Sequence, residues 1–131
     1  MELIKPDLER IEFKRGDKKK ATQLSNDKFT GFLVFERHSN GTTKLEYEWK
    51  NGREYGYQVE YYNNGQVKYY FQFDDFNEIG PSIAYWENGS IRHEEVEENG
   101  KWIVRQYNQQ GEITYELKNG IKKGKREDYT I

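Results

Sequence analysis

The chain has 131 residues, enough for one domain and too few for a second core. Charged and hydrophobic residues each make up 34%, a balance that alone suggests disorder, but eleven Tyr, seven Phe and three Trp argue for a folded protein with an aromatic core. The absence of cysteine excludes disulfides and thiolate metal sites, and the net charge of −2 is unevenly spread: residues 1–30 carry eight basic and six acidic side chains, 31–100 six and thirteen, and 101–131 seven and four.

The opening "MELIKPDLER" lacks the apolar segment of a secretory signal, and no apolar run reaches the length of a membrane span. The expectation is a soluble, cytoplasmic chain forming a single domain over residues 1–131. Residues 1–27 read as a degenerate first repeat or an N-terminal cap, and "DLERIEFK" over 7–14 is where a short helix would fall, if there is one. From residue 28 the chain repeats itself. Turn glycines stand at Gly16, Gly41, Gly65, Gly89 and Gly111, in steps of 25, 24, 24 and 22. Ahead of the last three lie "EYYNNG", "AYWENG" and "QYNQQG", which makes Tyr61, Tyr85 and Tyr107 equivalent. A second punctuation follows in "KNGREYG" (50–56), "FNEIG" (76–80) and "KNGIKKG" (118–124).

Each copy reads as two strands. In "KLEYEW" (44–49) Leu45, Tyr47 and Trp49 alternate with Lys44, Glu46 and Glu48. A two-residue Asn64-Gly65 turn would set apolar residues against polar ones. A three-residue loop, Asn63-Asn64-Gly65, instead opposes Tyr61 to Val67, Val59 to Tyr69, Tyr85 to Ile91, Tyr107 to Ile113 and Phe35 to Leu45. That loop is a type I turn closed by a left-handed glycine. The fold predicted is all-β: tandem β-hairpin repeats of about 24 residues forming one long, curled antiparallel sheet. Constant alternation then puts Leu33, Phe35, Leu45, Tyr47, Trp49, Val59, Tyr61, Val67, Tyr69, Phe71, Phe73, Ile83, Tyr85, Ile91, Tyr107, Ile113, Tyr115 and Leu117 on one core face.

The residues point to no catalytic group, cofactor or metal. His93 and Glu94 are strand neighbours and face opposite ways, and a zinc site needs several converging ligands. "GIKKGKR" (120–126) lacks the ending of a phosphate loop, and Asp74-Asp75 reads as a turn. The basic stretches "KRGDKKK" (14–20) and Lys122 to Arg126 do not coincide with the aromatic-rich copies, which argues against nucleic acid. Opposite the core face lie Tyr62, Tyr70 and Trp86 among carboxylates. Tyr and Trp are common at the centre of protein interfaces. The partner-binding set read from the sequence is therefore Tyr62, Tyr70 and Trp86 with an acidic rim of Asp74, Asp75, Glu94, Glu95, Glu97 and Glu98.

The units "EYYNNGQVKYY" (60–70) and "AYWENGSIRHEE" (84–95) resemble the MORN-repeat variant. More specifically, they resemble the small bacterial antitoxin or immunity proteins built from it, over roughly residues 28–131. The pattern is broken at Trp102, where a glycine is expected, and at Phe76, where the linker glycine is missing. The resemblance implies a non-enzymatic protein that binds and neutralises a cognate toxin. The acidic middle block adds that this toxin is basic, as nucleases are. The alternative is a structural scaffold or lipid-surface module of the general MORN type, and a third, weaker reading is an unrecognised hydrolase.

Overall fold

Arg10, Ile11, Glu12 and Phe13 alternate polar with apolar, and the segment is extended: it forms β1 (Arg10–Glu12). In the computed structural model, which describes residues 5–74 and 77–128, the helix is α1 (Lys18–Asn26), not the expected 7–14. It starts there because Asp17 caps it, accepting a hydrogen bond from Lys20 N at 3.1 Å.

The remaining elements are β2 (Gly31–Arg37), β3 (Thr43–Lys50), β4 (Arg53–Tyr61), β5 (Val67–Asp74), β6 (Asn77–Tyr85), β7 (Ile91–Glu98), β8 (Lys101–Tyr107), β9 (Ile113–Lys118) and β10 (Ile121–Gly124). They form one ten-stranded sheet in sequence order, every neighbouring pair antiparallel except β1 with β2, which is parallel. The fold is thus the long, curled all-β hairpin sheet that the period predicts.

The three-residue loop is present at each hairpin tip. Tyr62 N donates to Gln66 O at 2.8 Å, Gly65 N donates to Tyr62 O at 3.0 Å, and Gly65 sits at φ +88°. The same pair of bonds closes 38–42, 86–90 and 108–112. At the opposite end of the sheet, Asn51-Gly52, Asn99-Gly100 and Asn119-Gly120 make two-residue turns with both residues at positive φ, the geometry that matches strand twist. Residues 75 and 76, and with them the missing glycine at Phe76, lie outside the described residues.

The single core face does not hold. Tyr61 opposes Val67 as expected, but Val59 opposes Tyr70 instead of Tyr69, because one extra residue intervenes on β5. The same one-residue shift follows Tyr85–Ile91 and Tyr107–Ile113. In the first hairpin it sets Leu45 against Glu36 instead of Phe35, and there a second shift at Phe35 on β2 restores the expected register, with Leu33 opposite Tyr47. A one-residue bulge reverses the faces of everything beyond it. The expected core therefore splits. Tyr57, Val59, Tyr61 and Tyr70, with Val67, Ile83 and Tyr85, pack on what we call the tyrosine face. Leu33, Trp49 and Phe13 pack with Ala21 and Leu24 of α1 on the other, the helix face. Cross-strand register places Tyr69, Phe73, Ala84, His93, Gln106 and Tyr115 on the helix face as well.

A second irregularity explains the short final step of the repeat. Between Tyr47–Gln58 and Trp49–Glu54, β4 holds two more residues than β3, and between Tyr70–Ile83 and Gln72–Ile79, β6 holds two more than β5. Gly56 and Gly80 lie in these bulges, where the side chains of Glu48 and Gln72 press on them: a Cβ on Gly56 would meet Glu48 Oε1 at 2.2 Å. The β7–β8 pair runs in plain register, so β8 needs neither the glycine nor the two residues. Trp102 is accommodated for that reason.

Replacing Gly65 with Val should cost about 1–2 kcal/mol through the left-handed backbone alone, since nothing lies within 4 Å of its Cβ position. The check is the denaturant midpoint; an unchanged value would contradict the turn geometry.

Candidate partner-binding surface

The first residue of each tip reaches across to the next hairpin. His38 Nε2 donates to Tyr61 O at 2.8 Å, Tyr62 Oη to Tyr85 O at 2.7 Å, and Trp86 Nε1 to Tyr107 O at 3.1 Å. These are the same bond at successive copies. Tip asparagines add to it, with Asn40 Nδ2 donating to Asn63 O at 2.9 Å. Tyr62 and Trp86, which the sequence marks as partner-binding, thus join hairpin to hairpin. Both rings are half-buried and carry a cation, Lys68 at 5.6 Å and Arg92 at 4.4 Å from the ring centroids.

The other residues of that set are dispersed. Tyr70 is buried on the tyrosine face, where burial, then the neighbouring Tyr85 and Tyr57, push its hydroxyl up to about 12. Glu94 accepts from Tyr107 Oη at 2.9 Å and shares Arg105 with Glu98 and Glu116, at 3.3, 2.9 and 2.9 Å. Asp74 pairs with Arg53 at 3.0 Å at the two-residue-turn end, and Asp75 lies outside the described residues. Glu95 is on the helix face with Ser82 and His93, and Glu97 is exposed there opposite Trp102.

The acidic middle block is also partly neutralised from within. Glu46 and Glu48 are buried, and residues of the N-terminal segment reach them: Arg10 to Glu46 at 3.3 Å and Lys5 to Glu48 at 2.6 Å. Tyr61 Oη donates to Glu46 at 2.6 Å and is raised by burial and by that carboxylate, while Tyr57 N donates to Glu48 at 3.1 Å. A charge pattern read along the chain does not reveal such pairs.

What gathers instead is a strip on the helix face. At one end α1 covers β2 and β3. At the other, residues 125–128 lie on β8 and β9: Gln106 Nε2 donates to Glu127 O at 2.7 Å, Glu127 N donates to Gln106 Oε1 at 2.8 Å, and Arg126 lies 6.0 Å from the Tyr115 ring centroid. Between these two covers, Tyr69 and Phe71 are half-exposed, in a row with Phe73 and Tyr47 at centroid spacings of 5.6, 6.1 and 6.2 Å. Glu54, Glu60, Glu78, Glu95 and Glu97 edge the row, with Lys68 on Glu60, and Trp102 is 53% exposed beyond them. Constant alternation assigns Tyr69 and Phe71 to the core, so the sequence reading missed them; the doubled aromatics Tyr61-Tyr62 and Tyr69-Tyr70 are the signal that both faces are apolar.

His93 is 1% exposed beneath this strip. Gln106 Nε2 donates to its Nδ1 at 2.9 Å, so the proton is on Nε2, which faces Glu95 at 3.3 Å. Burial holds the imidazole below its ordinary value, with Glu95 acting the other way. Among the described residues no three His, Asp or Glu side chains group as metal ligands, and no helix is long and apolar enough to cross a membrane. Comparison with protein-family models, curated proteins and solved structures finds no match.

Tyr62→Phe should lower stability by about 1 kcal/mol, the worth of its bond to Tyr85 O, read as a shift in the denaturant midpoint with the spectrum of the folded state retained. For His93, the unfolded chain takes up a proton near pH 6.5 while the folded chain resists until lower pH. Stability is therefore full above about pH 6.5 and declines as pH falls through the interval below it. Midpoints measured from pH 7 to 5 should fall, and fall less steeply in His93→Gln.

Proposed function

We propose that this chain is a non-enzymatic inhibitor, of the immunity-protein or antitoxin kind, that holds a basic toxin domain on its helix face. The observation that supports the reading is the strip between α1 and the C-terminal residues: half-exposed rings edged by carboxylates, left accessible between two covered ends. Rings of this type supply contact area at little entropic cost, and the surrounding charge steers a partner of opposite sign. A nuclease-type toxin suits it, because proteins that bind phosphate backbones present basic surfaces. The resemblance of residues 28–131 to MORN-variant antitoxins points the same way. The scaffold or lipid-surface alternative fits less well, since an acidic strip repels anionic headgroups.

The test is co-expression with the protein encoded by an adjacent reading frame, followed by a binding titration. Growth arrest by that protein, relieved by this chain, is the expected outcome. Phe71→Ala should weaken the complex by about 2 kcal/mol or more, mainly through faster dissociation. Glu95→Lys combined with Glu97→Lys should mainly slow association and reduce its dependence on salt. Unchanged affinity in all of these folded variants would place the interface elsewhere, and sedimentation with anionic vesicles would favour the lipid-surface alternative.

A further inference from the structure

This chain repeatedly places a cation against an aromatic ring with a carboxylate in reach. Lys5 lies 5.4 Å from the Tyr57 ring centroid and 2.6 Å from Glu48. Arg10 lies 4.2 Å from Phe32 and 3.3 Å from Glu46. Arg53 lies 5.8 Å from Tyr55 and 3.0 Å from Asp74, and Lys68 lies 5.6 Å from Tyr62 and 3.3 Å from Glu60. In each case ring face and carboxylate attract the same positive group from two directions.

A groove of about 240 Å³ on the helix face has the ring and the carboxylates of such a unit. It is lined by Glu54, Gln58, Phe71, Phe73 and Glu78. Phe73 stands directly opposite Glu78 on β6, and Phe71 opposite Gln58 on β4. Phe71 is half-exposed, its ring 6.1 Å from that of Phe73. Glu78 is exposed and has neither an ion pair nor a side-chain hydrogen bond among the described residues.

We infer that this groove receives an arginine side chain from an extended basic segment of the partner protein. The guanidinium lies on Phe71, Glu78 fixes its edge, and Glu54 adds negative charge on the opposite wall. Arginine fits better than lysine because a planar, weakly hydrated guanidinium stacks on a ring while its edge meets a carboxylate. The inference rests on the reading of the chain as a binder of a basic protein, and it specifies the chemistry of the contact.

The experiment uses a blocked peptide of six arginines as probe, titrated into the full chain with Phe71 ring signals followed by NMR and affinity by calorimetry. The ring signals should move with saturation. Glu78→Gln and Phe71→Leu should each weaken binding at least about fivefold. Glu87→Gln, an equal charge change at an exposed hairpin tip, should alter it by less than about twofold, and a six-lysine peptide should bind several-fold more weakly. No binding, immobile Phe71 signals at saturation, or equal losses in Glu78→Gln and Glu87→Gln would overturn the inference. Because the probe is a peptide, a groove that binds it and a chain that fails to neutralise a toxin are separable results.

Discussion

The structure depends on a one-residue offset at the hairpin tips. Each tip closes on a left-handed glycine, and one residue further along the returning strand carries an extra residue that its partner does not match. In an antiparallel pair that offset moves every following side chain to the other face. The tip pairs Tyr61–Val67 and Tyr85–Ile91 therefore belong to the tyrosine face, while Tyr69 and Phe73, farther along β5, belong to the helix face. A sheet with one layer thus acquires two apolar surfaces. Each is covered in part by what the chain has to hand: residues 5–10 on one, α1 and residues 125–128 at the two ends of the other.

Much of this was legible in the sequence. The glycine steps give the period, the apolar matching of Tyr61 with Val67 selects the three-residue loop, and the Asn-Gly pairs mark the opposite turns. The phase beyond the tip was not legible by alternation, since a bulge leaves no signature in residue type when both faces are apolar. The start of α1 was also hidden, because its signal is a single Asp17 ahead of a lysine run. For the candidate surface, Tyr62 and Trp86 stood out as large rings at positions that alternation makes polar, but their donors serve the neighbouring hairpin. Glu94 and Glu98 stood out as surplus charge, and Arg105 on the next strand answers both.

The division of charge follows from the same geometry. Glu46 and Glu48 occur two residues apart on β3, so both enter the tyrosine face, where an unpaired carboxylate would be costly. Arg10 and Lys5 arrive from a segment some forty residues earlier in the chain. The basic N-terminal block and the acidic middle thus answer each other within one internal network. The carboxylates of the helix face, Glu54, Glu78, Glu95 and Glu97 among them, lie outside that network.

The two ends of the array are finished differently from its middle. β1 and α1 finish one end, while near the other, residues 125–128 fold back onto the sheet, held by the clasp of Gln106 on the backbone of Glu127, and β10 is left as an exposed edge. Neither closure touches the strands at the centre, so the number of hairpins between them is free to change by duplication of a 24-residue unit. One added copy would leave both closures intact and lengthen the exposed strip by two strands, about 10 Å. The reach of this surface is therefore a quantity that the chain counts in hairpins, and it can be altered in whole steps without redesigning a single contact at either end.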